Sequence, residues 1–223
     1  MTPPERWSIE AELAKAVGVS DYRHALMQLG LVRSLAEPVQ ICELADWHRG
    51  GSETYLYEFE VRTDREPVHL VAKACVVSPA SGPLSEVFAE WLRRRRLLSE
   101  HGVEVPKLYT AHAATIVEEY IRFSFIEALA LGERAQLLTQ LGRTVGVLTN
   151  LGFPVLGLHD VRSRGEDVVW VDFGEDLGPA GVVTIATASV LDDALQFLER
   201  SLRSVSRDDI TAVSRGFEET VST

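Results

Sequence analysis

Hydrophobic positions change their spacing near residue 38, and that change divides the chain into two kinds of element. Over 6–35, Leu13, Val17, Leu26, Leu29 and Leu31 supply apolar positions of a helical stretch, and Gly18 and Asp21 allow a break and a restart. From Val39 the period shortens. Segments 39–47 and 54–62 read as strands, the second alternating through Tyr55, Tyr57, Phe59 and Val61, and 68–77 is a third strand after Pro67. A helix over 84–101 carries Val87, Trp91 and Leu98 at helical spacing, with Gly102 as its stop. Two further short strands occupy 106–111 and 115–120. Three strands, a helix and two strands predict a small, mostly antiparallel sheet with one helix laid across it.

The second half is mainly helical. Segment 133–151 places Leu137, Leu138, Leu141, Val145 and Leu148 on one face. Segment 152–167 reads as irregular, 168–171 as a strand closed by Asp172, and 185–202 and 207–221 as two closing helices. The expected organisation is an N-terminal helical segment over 1–38, a sheet-bearing lobe over 39–121 and a helical lobe over 122–223.

Composition narrows the function classes. The 223 residues, 46% of them hydrophobic, suffice for one large domain or two small lobes sharing a cleft. No run reaches the length of a membrane span, and the start lacks the charged and apolar regions of a secretory signal, so neither is expected. Cys42 and Cys75 match no metal or redox spacing; Cys75 reads as a small buried hydrophobe, and a reducing, cytoplasmic setting is expected. A net charge of −11, from 33 acids against 22 bases, repels polyanions, which argues against nucleic-acid and anionic-membrane partners. The run Arg93 to Arg96 is a local exception that reads as a solvated helix face.

Three features carry candidate chemistry. Gly50-Gly51-Ser52 stands in a strand–turn–strand setting, where glycine lets backbone N–H groups approach an anion, although Gly-Gly between strands is most often only a turn. Lys73 lies within the apolar run Val71-Ala72-Lys73-Ala74-Cys75, and an ammonium buried there needs a counter-charge. It can equally be a strand-edge lysine facing solvent. Glu90 on the following helix is the first choice of partner and Glu86, four residues earlier, the second. Asp172-Phe173-Gly174 ends a buried strand, so the Asp172 carboxylate can enter a cleft and bind Mg²⁺ through oxygen.

Taken in order, the glycine hairpin, the strand lysine, the helix glutamate, the apolar hinge strand, the long helix and the strand ending in Asp-Phe-Gly resemble the protein-kinase-like fold. The phrases Gly50-Gly51-Ser52-Glu53-Thr54-Tyr55, Val71-Ala72-Lys73 and His101-Gly102-Val103-Glu104-Val105-Pro106 are most similar to aminoglycoside phosphotransferases and related small atypical kinases, as is the helix from Leu141 to Leu151. The resemblance covers about residues 39–178. It implies an α+β, bilobal fold and an ATP-dependent phosphotransferase. Gly50, Gly51, Ser52 and Lys73 would then contact the nucleotide, and Glu90 would fix Lys73. Backbone groups from Glu118 to Ile121, Glu119 and Ile121 among them, would receive adenine, and Asp172 would hold Mg²⁺.

In that family a catalytic-loop aspartate takes the acceptor's proton, and an asparagine five residues later binds metal. Two registers fit Gly157-Leu158-His159-Asp160-Val161-Arg162-Ser163-Arg164-Gly165. With Asp160 as base, Gly165 takes the asparagine position and only twelve residues remain before Asp172, short for the usual hairpin. With Gly157 at the base position, the spacing improves and Arg162 takes the asparagine position. Chemistry favours Asp160. The alternative function is a catalytically impaired kinase-like module that binds a nucleotide or a partner protein in a regulatory role. The acceptor, a small molecule or a protein, is not written in the sequence. His24, His69 and His112 read as ordinary histidines, Trp47, Trp91 and Trp170 as packing residues and Asp192-Asp193 as a solvated face.

Overall fold

The computed structural model describes residues 8–44, 48–50, 54–75, 83–131, 134–153, 161–173 and 187–221, the side chains of 48–50 and 187–189 apart. The chain divides into two compact units, Met1–Glu90 with Lys107–Tyr120 and Trp91–Pro106 with Ile121–Thr223.

In the first unit, α1 (Ile9–Val17) ends where Gly18 turns left-handed at φ 77° and its N–H closes onto the carbonyls of Ala14 and Lys15. Helix α2 (Tyr22–Gln28) begins at Asp21, whose carboxylate accepts from the N–H groups of Arg23 and His24. The expected break and restart therefore lie where glycine and a capping aspartate put them. Strands β1 (Gln40–Glu43), β2 (His48–Gly50), β3 (Thr54–Arg62), β4 (Val68–Cys75), β5 (Leu108–His112) and β6 (Thr115–Glu119) form one antiparallel sheet. Its order is β1-β3-β4-β6-β5, with β2 also on β3.

Strand alternation sorts the two faces of this sheet. Tyr57, Phe59 and Val61 of β3, Leu70 and Ala72 of β4, and Val117 of β6 join Ile9, Leu13 and Ala16 of α1 and Ala25 and Leu26 of α2 in one buried cluster. Each large side chain buried there contributes roughly 1.5–3 kcal/mol. The N-terminal helices thus complete the core of the sheet. The opposite face carries Val71, Lys73, Ile116 and Glu118, because Val71 pairs with Glu118 and Lys73 with Ile116 across β4 and β6.

Helix α3 (Leu84–Glu100) contributes its residues up to Glu90 to the first unit and the rest to the second. It ends at Gly102 (φ 79°), where the N–H of Gly102 meets Ser99 O and that of Val103 meets Leu98 O, so the expected glycine stop is present. The second unit continues with β7 (Phe123–Ser124), α4 (Phe125–Leu131), α5 (Arg134–Asn150), β8 (Val161–Arg164), β9 (Asp167–Trp170), α6 (Thr187–Ser201) and α7 (Arg207–Val221).

Two of these elements correct the sequence reading. Helix α4 follows Ser124, which exchanges hydrogen bonds with Glu127: the Ser124 N–H donates to the carboxylate at 2.8 Å, and the Glu127 N–H donates to Ser124 Oγ at 3.3 Å. Strand β8 lies inside the stretch expected to be irregular and pairs with both β7 and β9. Four residues on each side of Gly165-Glu166, with Gly165 at φ 62°, close the β8–β9 hairpin. A hairpin therefore does fit between positions 160 and 172.

Helices α5 and α7 approach unusually closely. A Cβ placed on Gly142 would stand 2.0 Å from Val213 O, and one on Gly216 would stand 2.0 Å from Thr139 O. Only glycine permits that backbone-to-backbone distance. At the start of α7, Asp209 pairs with Arg134 of α5 at 2.7 and 2.9 Å and accepts from Ser206 N–H at 2.8 Å. The Arg134 guanidinium, with these backbone and hydroxyl donors, holds the Asp209 carboxyl down to about 2 from 3.8. Because the folded value is depressed, the stabilisation is complete above about pH 4 and disappears as pH falls towards 2; it is worth about 2 kcal/mol. Urea unfolding at pH 5 should show that loss in Asp209→Asn, and the gap between wild type and variant should narrow by pH 2.5. A pH-independent gap would contradict the assignment.

The fold class expected from the sequence holds. The chain is α+β and bilobal, with a small antiparallel sheet in one unit and mainly helix in the other. Its order of hairpin, lysine strand, helix, two strands, long helix and strand before Asp172 is the order expected from the sequence. No helix among the described residues is long and apolar enough to cross a membrane.

Candidate functional site

Lys73 stands on β4 between Ala72 and Ala74, which lie on the other face of the strand, Ala72 in the helix-covered core. Its ammonium lies 2.7 Å from Glu118 Oε1, with side-chain exposures of 14% for Lys73 and 1% for Glu118. The pair is diagonal across β4 and β6, since Lys73 sits opposite Ile116 and Glu118 opposite Val71. A carboxylate buried this deeply needs a cation beside it, and the register of two paired strands fixes the cation in place. Lys73 is therefore a half-buried, ion-paired lysine rather than a solvent-facing edge residue.

Glu118 was expected only as a backbone member of the hinge. Its carboxylate is the residue that sequence reasoning missed, and the signal was an acid inside the apolar run Thr115-Ile116-Val117-Glu118. Glu90 is half-buried on α3, and Glu86 is exposed.

The backbone of 118–121 is already engaged in part. Glu119 N–H donates to Lys107 O at 2.9 Å, the Glu119 carboxylate accepts from Lys107 N–H at 3.1 Å, and Tyr120 N–H donates to His69 O at 3.1 Å. Ile121 is buried at 6% exposure in the second unit. Gly50 pairs with Thr54 at the end of the β2–β3 hairpin, while Gly51 and Ser52 lie outside the described residues. So do Asp160 and Gly174.

Asp172 follows β9 and is half-buried. Its carbonyl accepts a hydrogen bond from Trp170 Nε1. Phe173, 4% exposed, has the guanidinium carbon of Arg95 5.3 Å from its ring centroid and Arg94 Nη1 3.4 Å from its carbonyl. Arg95 Nη2 also donates to Pro106 O. The solvated-face reading of the arginine run is thus corrected. Arg93 and Arg96 are exposed, but Arg94 and Arg95 are 8% and 5% exposed because carbonyls and an aromatic face receive them.

A separate pocket of about 240 Å³ in the second unit is lined by Glu104, Gln140, Arg143, Thr144 and Asp167 among others. It contains none of the sequence-derived candidates. Other readings hold: Cys75 is buried, Trp91 and Trp170 are core residues, and Asp192 and Asp193 are exposed.

Mg²⁺ takes oxygen ligands and usually keeps several waters, using one or two carboxylates together with phosphate oxygens. Asp172 offers such an oxygen donor. Among the described residues no group of three or more His, Cys, Asp or Glu is arranged to hold a metal unaided. A single carboxylate is within what such a Mg²⁺ takes from a protein.

No protein-family model matches the chain, and no curated protein matches it. Among solved structures it is similar to the Rio2 kinase–ADP/Mg²⁺-phosphoaspartate complex from Chaetomium thermophilum, with a TM-score of 0.49 and 16% identity. The match covers 79% of this chain and 64% of that one, so the chain spans less than two thirds of that kinase.

Proposed function

We propose that this chain is an ATP-dependent phosphotransferase, nearest in kind to aminoglycoside phosphotransferases and related small atypical kinases. The observation that carries the reading is the Lys73–Glu118 pair. A hydrophobic pair of similar volume would serve the sheet as well or better than a buried ion pair, so a positive charge kept at Lys73 is best explained by an anionic ligand. Phosphoryl transfer asks chiefly for positioning and charge stabilisation. Lys73 supplies charge for phosphate oxygens, and Glu118 aims it. Asp172 holds Mg²⁺, which neutralises phosphate charge. Asp160 takes the proton of the acceptor hydroxyl, and the acceptor is a small molecule or a protein.

A second reading, a nucleotide-binding module with little or no transfer, is favoured by the bounds of β8. If the catalytic loop ends where this hairpin begins, at Val161, Asp160 stands at the metal-binding end of the loop and Val155 stands five residues earlier at the base position. Asp160 would then be a second oxygen ligand. Incubation with γ-labelled ATP separates the two. The first reading expects turnover in the wild type, reduced at least about 100-fold in Asp160→Asn with nucleotide binding retained. The second expects no turnover in either protein and a higher Mg²⁺ requirement for nucleotide binding in the variant.

A further inference from the structure

We infer that Arg94 and Arg95 are positioning residues for Asp172, so that the affinity of the Asp172 site for Mg²⁺ is set by the grip of α3 on Phe173. The inference rests on the nucleotide reading above and goes beyond it. Two adjacent arginines at 8% and 5% exposure are expensive to desolvate, and aliphatic side chains could fill the same space without that penalty. What aliphatic residues cannot supply is direction. Arg95 spreads over the Phe173 ring while its Nη2 is tied to Pro106 O, and Arg94 reaches the Phe173 carbonyl. Trp170 Nε1 holds the Asp172 carbonyl, in the peptide group that joins Asp172 to Phe173. The backbone that follows the Asp172 side chain is therefore fixed at successive peptide groups by groups from β9 and α3. A carboxylate on a backbone held this way has few directions open to it, which favours a metal that demands near-ideal ligand geometry.

Arg95→Lys keeps the charge and most of the stem but loses the planar face; Arg94→Met keeps the stem alone. Two readouts are needed. In the ligand-free proteins, amide exchange at 171–173 should speed up about tenfold in each variant, with α5 and α7 unchanged, as expected when one charge-assisted or cation–π contact is removed. With nucleotide present, the Mg²⁺ concentration giving half of the melting shift should rise about tenfold, while the shift given by nucleotide without metal stays at the wild-type value. Unaltered exchange at 171–173 in folded variants overturns the inference. So does faster exchange with an unaltered Mg²⁺ midpoint, which would leave the arginines a packing role only. A wild-type protein indifferent to nucleotide and Mg²⁺ overturns the nucleotide reading and the metal half of this inference with it, and is told apart from failure of the grip by the ligand-free exchange.

Discussion

Lys73→Met is expected to lower the melting temperature by about 6–12 °C, even though methionine fits a buried strand well. The effect comes from Glu118. At 1% exposure its carboxylate keeps its burial when the ammonium 2.7 Å away is removed, and breaking such a pair costs about 3 kcal/mol. Lys73→Met/Glu118→Met removes both charges together and should recover more than half of the loss. A double variant whose destabilisation is the sum of the two single ones would show that the pair is not coupled and that Lys73 contributes only packing.

Gly142→Ala should lose about 3 kcal/mol, where helix propensity alone would predict a gain of about 1 kcal/mol for the same change in α5. The sign is decided by Val213 O, 2.0 Å from the added Cβ. That neighbour is backbone, so no rotamer change relieves the contact, and α5 and α7 must move apart. Separation would loosen Leu138, Leu141 and Val145 of α5 and Val213 and Phe217 of α7, all buried. Gly216→Ala should behave alike, because its Cβ would meet Thr139 O at the same distance. Urea midpoints for both variants check this, and a stabilised Gly142→Ala would contradict the close approach.

Local rules made much of the architecture legible. The alternation Tyr57-Phe59-Val61 needed one apolar face, and α1 and α2 supply it. Gly18, Asp21 and Gly102 act within one turn of their own position, so their effects could be read directly. The losses have physical causes too. Helix α4 is announced by Ser124 and Glu127, a reciprocal cap that the hydrophobic pattern alone does not register. Strand β8 reads Val161-Arg162-Ser163-Arg164, polar in composition yet buried at alternate positions, 161 and 163. Arg94 and Arg95 look solvated in any local window, because Phe173, the residue that receives them, lies 79 positions from Arg94. Glu118 comes to lie beside Lys73 through the register of β4 and β6. Pairing across strands is invisible until the register is known, and that is why the lysine was legible and this neighbouring acid was not.

The central claim, that Lys73 and Asp172 serve a metal-bound nucleotide, is tested most directly by melting the protein with ATP, ADP or GTP at millimolar concentration, with and without Mg²⁺. ATP with Mg²⁺ should raise the midpoint by about 5 °C or more, as expected for a ligand near a hundred times its dissociation constant. Asp172→Asn should remove the part of the shift that depends on Mg²⁺, and Lys73→Met should remove the shift itself. A wild-type midpoint that none of the three nucleotides moves, with or without the metal, would contradict the claim.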